Sequence, residues 1–396
     1  MDFMKKSMKY GKYIGKWVLM GLLIGILGGL IGTAFHISVD FVTEQREHRF
    51  WLIYLLPLGG LLIAAMYGRF RKLGNIDTKR VFQSVKENKD VPLVMIPLIF
   101  IGTVITHCLG GSAGREGAAL QLGGSLGYNM GQAFRQESED KKYMVTAGMS
   151  SVFSALFGTP LTAMLFSLEV TRQGKFSWKG LFPGFIASVT AYFVAQLLGV
   201  EAVRFGLPEG LSYHWIVILK VILLAVLCGG VCILFALSLH KTEHVTHKLL
   251  PNSYLRAFLG GLLLVGLTLL VRTTDYNGAG MGVISRAIAG EANYEAFLLK
   301  IIFTVITVAA GFKGGEIVPT FFIGATFGCV AGSLFGLNPG VGASLGLVAM
   351  FAGMTKCPVA AFLLALEVFG GKGVLFFAVV SVLSRIVSGR FGLYEE

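Results

Sequence analysis

The chain has 396 residues, 54% of them hydrophobic and only 14% charged, with a formal net charge of +12 at pH 7. An ordinary soluble domain carries about 25% charged residues, so this composition and a mean hydropathy of +0.72 exclude a soluble globular class and point to an integral membrane protein. Nucleic-acid binding, the other common meaning of a basic chain, would need an extramembrane module. The apolar runs continue from end to end and leave no room for one.

The first thirteen residues form a basic N-terminal segment, and Met1 to Lys16 holds five lysines. The apolar run Trp17 to Ile37 follows without a small-residue cleavage site, so it reads as a retained first helix with a cytoplasmic N-terminus. A bilayer core of about 30 Å needs roughly 20 apolar residues, and Trp51 to Tyr67 and Val91 to Leu109 approach that length. Between them Arg69, Arg71, Lys72, Lys79, Arg80, Lys86 and Lys89 form a second basic block. It reads as a loop facing anionic lipid. Next comes GSAGREGAALQLGG, Gly111 to Gly124, which sets Arg115 beside Glu116 among small residues. Glycines at 110, 111, 114 and 117, then at 123, 124 and 127, predict an extended loop feeding a short helix.

A third basic block holds Arg135, Lys141, Lys142, Arg172, Lys175 and Lys179, and within its bounds Gly158-Thr159-Pro160 looks like a helix start. The polar stretch VEAVRFGLPEGLSYH, Val200 to His214, then separates this part from the apolar runs Trp215 to Leu239, Leu255 to Val271 and Phe297 to Ala310. GFKGGEIVP, Gly311 to Pro319, is a second glycine-rich interruption. Pro319 is acceptable in a first helical turn because it has no N–H to lose. Lys356-Cys357-Pro358 repeats the look of the earlier helix start.

The two parts repeat one another. Gly28-Gly29 recurs as Gly229-Gly230, GGLL at Gly59 recurs at Gly260, and TVIT at Thr103 recurs at Thr304, each 201 residues on. GREG at Gly114 aligns with GGEI at Gly314 at a shift of 200, which pairs Glu116 with Glu316. PLTAMLFSLEV from Pro160 aligns with PVAAFLLALEV from Pro358 at a shift of 198. Small residues pack transmembrane helices everywhere, so it is the shared order of five blocks that argues for duplication. Residues 14–199 form the first half, 200–214 the linker and 215–396 the second half, with no regulatory domain expected after it. Matching glycine and proline interruptions in two halves fit the secondary-transporter plan, in which broken helices meet near the bilayer midplane.

A helix N-terminus presents unpaired N–H groups and about half a positive charge, so it attracts anions. Four such starts converging from two halves would hold a small anion without a fixed cation. Glu116 is then the sharp feature. A carboxylate about 4 Å from a bound anion is repelled by roughly 4 kcal/mol at an effective dielectric of 20, which links proton and anion occupancy. If it takes the anion's place when charged and swings out when protonated, one side chain serves as gate and proton carrier. The plainer reading is a structural bridge to Arg115, but intramembrane ionisable residues are functional by default.

Other candidates have bland readings beside the functional ones. Glu316 either extends the proton path or caps its own helix, and Glu169 and Glu367 read as structural groups at helix ends. His36 and His107 are proton relays or packing residues. His240, His244 and His247 have helical spacing for zinc but lack a completing ligand, so no metal and no cofactor are expected. The five cysteines, Cys108, Cys228, Cys232, Cys329 and Cys357, read as packing residues. An intramembrane enzyme would want a nucleophile beside a base, or a metal set, and neither is evident. A structural scaffold is the remaining alternative.

At these residues the sequence resembles the CLC family of chloride channels and anion/proton antiporters. GREG with LQLGGSLG (Gly114 to Gly127), GTPLTAMLFSLE (Gly158 to Glu169), the GG-x-x-x-P of Gly314 to Pro319 and Tyr394 fall in the family's order. The resemblance implies an all-α fold of two inverted, pseudo-symmetric helical halves whose broken helices meet at a central anion site, assembled as a homodimer in the plasma membrane. It implies Glu116 as the gating glutamate, Gly114, Arg115, Gly117, Gly315, Glu316, Ile317 and Val318 around the anion, and Tyr394 as the central tyrosine. Its first selectivity loop should fall at Lys72 to Thr78, around Gly74, Asn75 and Ile76, but KLGNIDT lacks the usual serine and proline. Ala118 replaces the usual proline, Val170 the inner proton glutamate, and Glu316 a usual aliphatic residue. These departures resemble the fluoride-exporting branch, although Val318 stands where that branch often has threonine and no methionine occurs between Met66 and Met95. Fluoride/proton exchange is the expectation, with chloride/proton exchange or a passive chloride channel as the alternative.

Overall fold

The computed structural model describes residues 2–74, 76–172 and 178–394. Among these residues the regular structure is helical throughout: α1 (Asp2–His48), α2 (Leu56–Arg69), α3 (Thr78–Glu87), α4 (Met95–Leu109), α5 (Glu116–Ala133), α6 (Ser138–Phe157), α7 (Pro160–Arg172), α8 (Trp178–Leu197), α9 (Trp215–Leu249), α10 (Ser253–Val271), α11 (Met281–Ile288), α12 (Ala296–Ala310), α13 (Ile317–Leu334), α14 (Pro339–Thr355), α15 (Pro358–Phe369) and α16 (Val374–Val387). Among the described residues six helical stretches are long and apolar enough to cross a bilayer: Tyr13–His48, Phe50–Arg69, Lys179–Leu197, Trp215–Leu249, Ser253–Val271 and Ile317–Leu334. The fold is all-α, with helices of membrane-crossing length. At 1.5 Å per residue the 35 residues of α9 reach about 52 Å. Its last turns, which carry HKTEHVTH, therefore run past a hydrocarbon core of about 30 Å.

Two compact units partition the chain: Met1–His36 with Ile76–Ile96 and Ala119–Val203, and Ile37–Asn75 with Pro97–Ala118 and Arg204–Glu396. In the first unit α6 is buried from Tyr143 to Phe157. The glycines expected to break the chain at 123 and 127 instead lie inside the continuous helix α5. A Cβ on Gly123 would stand 2.1 Å from the Gly148 carbonyl oxygen, and one on Gly127 would stand 2.0 Å from that of Met144. Glycine is required there for backbone contact with α6, not for flexibility. Lipid tails offer no hydrophobic drive for helix association, so close backbone approach takes that place. Beside this seam Trp17, Met20, Leu126, Met130 and Met144 form an apolar cluster.

In the second unit α13 and α14 repeat the device: a Cβ on Gly324 would meet the Gly346 carbonyl oxygen at 2.4 Å, and one on Gly328 that of Gly342 at 2.2 Å. The seam residues 123 and 127 thus correspond to 324 and 328, a shift of 201. All five cysteines are free thiols. Glu169 and Glu367 fall in the last turns of α7 and α15.

Candidate functional site

The site grows from two interrupted segments of the second unit. α4 stops at Leu109 because Gly110 turns left-handed, with φ of +91°, a conformation open to glycine at little cost. α12 stops before Gly311, with φ of +93°, in the same way. The two loops that follow are held by each other's helices. Thr307 Oγ1 accepts from the Ser112 amide at 3.0 Å, and Thr106 Oγ1 accepts from the Lys313 amide at 3.1 Å. Each hydroxyl donates its own proton one turn back, Thr106 to the Gly102 carbonyl at 2.9 Å and Thr307 to that of Phe303 at 2.7 Å. The repeated TVIT motif is therefore a reciprocal clasp, and Ser112 Oγ adds a contact to Thr304 Oγ1 at 3.1 Å.

Beyond the clasp the loops pair directly. Gly114 N–H donates to Gly315 C=O at 2.6 Å and Gly315 N–H donates to Gly114 C=O at 2.7 Å, an antiparallel bridge between the two loops. A Cβ on Gly315 would lie 2.3 Å from the Gly117 nitrogen, so both positions need glycine. The bridge, the clasp and the helix starts all obey a shift of 201. Glu116, the first residue of α5, thus corresponds to Ile317, the first residue of α13, and Glu316, the N-cap residue of α13, corresponds to Arg115. The alignment of Glu116 with Glu316 is corrected by one residue: in sequence the two GxE turns match by letter, whereas hydrogen bonding matches them by position.

Two helix N-termini consequently face one spot, and the Glu116 carboxylate fills it. Glu116 is 1% exposed. Its Oε2 accepts from the Arg115 amide at 2.9 Å, and Val318 lines the same cavity beside it. Arg115 Nε lies 3.8 Å from Oε1, while its Nη1 binds Asp40. Asp40 is 54% exposed at the side chain, so the arginine links the buried acid to an accessible one. Ile317 and Val318 are buried behind the carboxylate. Glu316 is half-buried, its carboxylate 3.7 Å from where a Cβ on Gly117 would stand. Its carbonyl accepts from the Thr320 amide and hydroxyl at 3.0 and 2.8 Å. Lys313 and Glu243 lie within its electrostatic reach.

Tyr394 comes to the same neighbourhood, within electrostatic reach of Glu316, Cys357 and Glu116. Its segment is pinned by Leu393 N–H to the Met354 carbonyl at 2.8 Å and by a His240 Nε2 hydrogen bond to the Gly392 carbonyl at 2.9 Å. That bond gives one histidine of HKTEHVTH a structural role, and no group of three potential metal ligands occurs among the described residues. The first selectivity loop is only partly described. Gly74 is left-handed with φ of +77°, Asn75 lies outside the described residues, Ile76 is buried, and Asp77 caps α3 by accepting from the Arg80 amide at 2.9 Å. Gly74 and Ile76 do not line the cavity described next.

A cavity of about 380 Å³ opens onto Glu116 and Val318, lined by Asp40, Arg46, Glu47, His107, Arg115, Asp275, Asn277 and Arg286 among others. Three of the groups around it escaped the sequence reading. Arg46, 5% exposed, donates Nη1 to the His107 carbonyl at 2.7 Å. Asn277 donates to the Gly110 carbonyl at 2.8 Å and to Thr268 Oγ1 at 3.1 Å. Lys300, 0% exposed, donates Nζ to the carbonyls of Gly278 at 2.7 Å and Tyr276 at 3.2 Å, and lies over the Phe322 ring at 5.0 Å. A lone lysine in the run Phe297 to Ala310 was the available signal. Arg46 lines the cavity, and Lys300 is buried against the carbonyls of the loop behind it.

The family profile described as voltage gated chloride channel matches residues 59–389. The chain is 34% identical over 368 residues to a chloride/fluoride channel protein of Pseudomonas syringae pv. tomato, covering 91% of this chain and 81% of that one. It is 26% identical over 394 residues to the H(+)/Cl(−) exchange transporter ClcA of Yersinia pestis bv. Antiqua, with the same coverage of 91% and 81%. Among solved structures, that of a CLC-type fluoride/proton antiporter matches with a TM-score of 0.92 at 34% identity, over 96% of this chain and 97% of the other. That of a slow cyanobacterial Cl−/H+ antiporter matches with a TM-score of 0.81 at 18% identity over 94% of each chain, a likeness of fold alone. With most of its length matched by the family profile, by a relative in sequence and by a superposable structure, this chain belongs to the voltage-gated chloride channel (CLC) family.

Proposed function

We propose that the protein exchanges a halide, fluoride by preference, for protons, with Glu116 as gate and proton carrier. The observation that carries this reading is the buried Glu116 carboxylate at the start of α5, accepting from the Arg115 amide at 2.9 Å. A carboxylate held by main-chain N–H groups at a helix start stands where an external anion would bind. Anion and ionised glutamate therefore compete for one place. Protonation removes the charge that holds the side chain, so the gate leaves and the anion takes the amides. Release of the proton on the opposite side resets the cycle.

Gly114, Gly117 and Gly315 serve this site by allowing backbone approach, and Arg115, Ile317 and Val318 by presenting amides. Glu316 is the second titratable group of the route and Tyr394 a hydroxyl donor to the central anion. Fluoride is small and strongly hydrated, so leaving water costs it more than it costs chloride. A protonated Glu116 or Glu316 can offset that cost with a charge-assisted hydrogen bond. The relative and the solved structure that are each 34% identical carry fluoride in their names, which supports this preference. We place the protein as a homodimer in the plasma membrane with its lysine-rich N-terminus in the cytoplasm.

The test is flux from liposomes loaded with fluoride or chloride, with proton uptake recorded in parallel. Fluoride efflux with stoichiometric proton movement supports the reading. Halide efflux without proton movement would refute exchange, and equal rates for the two halides would refute the preference.

A further inference from the structure

The exchange reading requires a place for the protonated Glu116 side chain once it has left the amides, and the cavity in front of it contains a matched pair of unused groups. His107 is 0% exposed and lines that cavity. Its Nδ1 lies 2.9 Å from the Thr103 carbonyl one turn back on α4. A carbonyl only accepts, so Nδ1 carries the proton, and in the neutral ring Nε2 presents a lone pair away from the helix backbone. That nitrogen is buried and has no partner. Arg46, 5% exposed, lines the same cavity, and its Nε–H is likewise buried without a partner. Arg46 and His107 adjoin through the 2.7 Å bond from Nη1 to the His107 carbonyl.

A buried donor or acceptor left unmade is costly and calls for an explanation. One orphan acceptor beside one orphan donor has a defined complement: a neutral carboxylic acid, whose O–H donates and whose C=O accepts. An ionised carboxylate has no proton for His107, and a halide has none either. Glu116 is the buried acid that faces this cavity. The other carboxylates lining it, Asp40, Glu47 and Asp275, are each engaged by an arginine: Arg115, Arg46 and Arg286 respectively.

We infer that Arg46 Nε–H and His107 Nε2 form the docking site of the protonated Glu116 carboxyl, the position the gate occupies while the anion holds the helix N-termini. Both residues are positioning residues: they touch the gate and not the anion. Arg46, Arg115 and Lys300 act on the imidazole, and Glu116, Asp40, Glu47, Asp275 and Arg286 line the same cavity, the last four tied up in ion pairs with arginine or aspartate partners. An imidazolium would sit among three cations and have no lone pair to offer, so the neutral ring is the competent form. No bond is made or broken beyond hydrogen bonds, and the proton stays on Glu116 until it leaves toward solvent.

This inference rests on the exchange reading above, and its test separates the two. The full-length protein is reconstituted in liposomes, and fluoride efflux with proton uptake is recorded from pH 5 to 8. His107→Phe keeps a ring without a lone pair, and His107→Gln restores an acceptor. His107→Phe is expected to slow coupled exchange about tenfold and to move the midpoint of the flux–pH profile about one unit toward acid, because the protonated gate loses its acceptor and one unit is a tenfold change in its protonation equilibrium. His107→Gln recovers most of both. In a Glu116→Ala background, which leaves no polar side chain to dock, His107→Phe should leave fluoride flux within about twofold of that background. Infrared difference spectra give a readout independent of flux: the C=O stretch of protonated Glu116 should shift in His107→Gln, so the test stands even if His107→Phe fails to fold. Equal slowing in both backgrounds, an unmoved midpoint or an unmoved carboxyl band would overturn the docking site. Wild-type fluoride flux without protons would instead overturn the exchange reading, and the docking site with it.

Discussion

Replacing Glu116 by glutamine removes one negative charge from the most contested position in the molecule while keeping its size. The wild-type carboxylate sits at the amides that open α5 and accepts from that of Arg115 at 2.9 Å. A halide seated on or next to the same amides would lie about 4 Å from the carboxylate, where repulsion amounts to roughly 4 kcal/mol at an effective dielectric of 20. That is about a thousandfold in affinity. A neutral glutamine accepts weaker bonds from the amides and exerts no such repulsion, so fluoride should bind Glu116→Gln up to about a thousandfold more tightly than wild type at pH 8. The same change removes the titratable proton, so fluoride flux should continue without proton uptake. Isothermal titration in detergent reads the first effect, and paired fluoride and pH electrodes on liposomes read the second. Unchanged affinity together with intact proton coupling would refute the reasoning that carboxylate and anion share one place.

The remaining expectations follow from the same geometry. Coupled flux should rise as pH falls on the side from which Glu116 is protonated, since the charged gate blocks the amides and the neutral gate leaves them; stopped-flow flux from pH 5 to 8 checks the sign. Thr106→Val and Thr307→Val each delete one acceptor of the reciprocal clasp and should each cost about 1–3 kcal/mol in detergent unfolding, with closely similar values. A cost confined to one of them would show that the clasp is not symmetric in energy. Gly315→Ala puts a Cβ 2.3 Å from the Gly117 nitrogen, so the two helix starts must part; overpacking of this kind costs about 1–3 kcal/mol, and flux should fall more than tenfold at unchanged expression. Lys300→Met removes the ammonium that holds the carbonyls of Tyr276 and Gly278. Deuterium exchange should quicken across residues 274–280, while global stability changes little because a buried unpaired charge is itself costly.

Much of the site was legible because its chemistry is local. Glycines at 110, 114, 117, 311, 314 and 315 mark broken backbone, and an acid inside that break can be read from the chain alone. What the sequence reading got wrong also has a local cause. Glycines 123, 124 and 127 look like breakers by propensity, yet 123 and 127 are contact points between backbones, and only the partner helix α6 shows this. The one-residue error in pairing Glu116 with Glu316 arose because letters were aligned where hydrogen bonds decide the register. Arg46 was passed over because it follows an apolar run, where a basic residue ordinarily marks the membrane edge.

By itself the sequence determined that this chain spans a membrane, that it repeats at about 200 residues, that it breaks its helices at matching glycines and that it carries an acid in the break. Composition, spacing and backbone freedom act over a few residues and can be read there. Tertiary structure decided that the Glu116 carboxylate binds the Arg115 amide, that Thr106 and Thr307 clasp each other's loops, that Arg46 and His107 line the cavity before the gate, and that Lys300 holds the loop behind it. These contacts join residues up to 207 apart in the chain. Their existence depends on how the helices pack, and no local pattern encodes that.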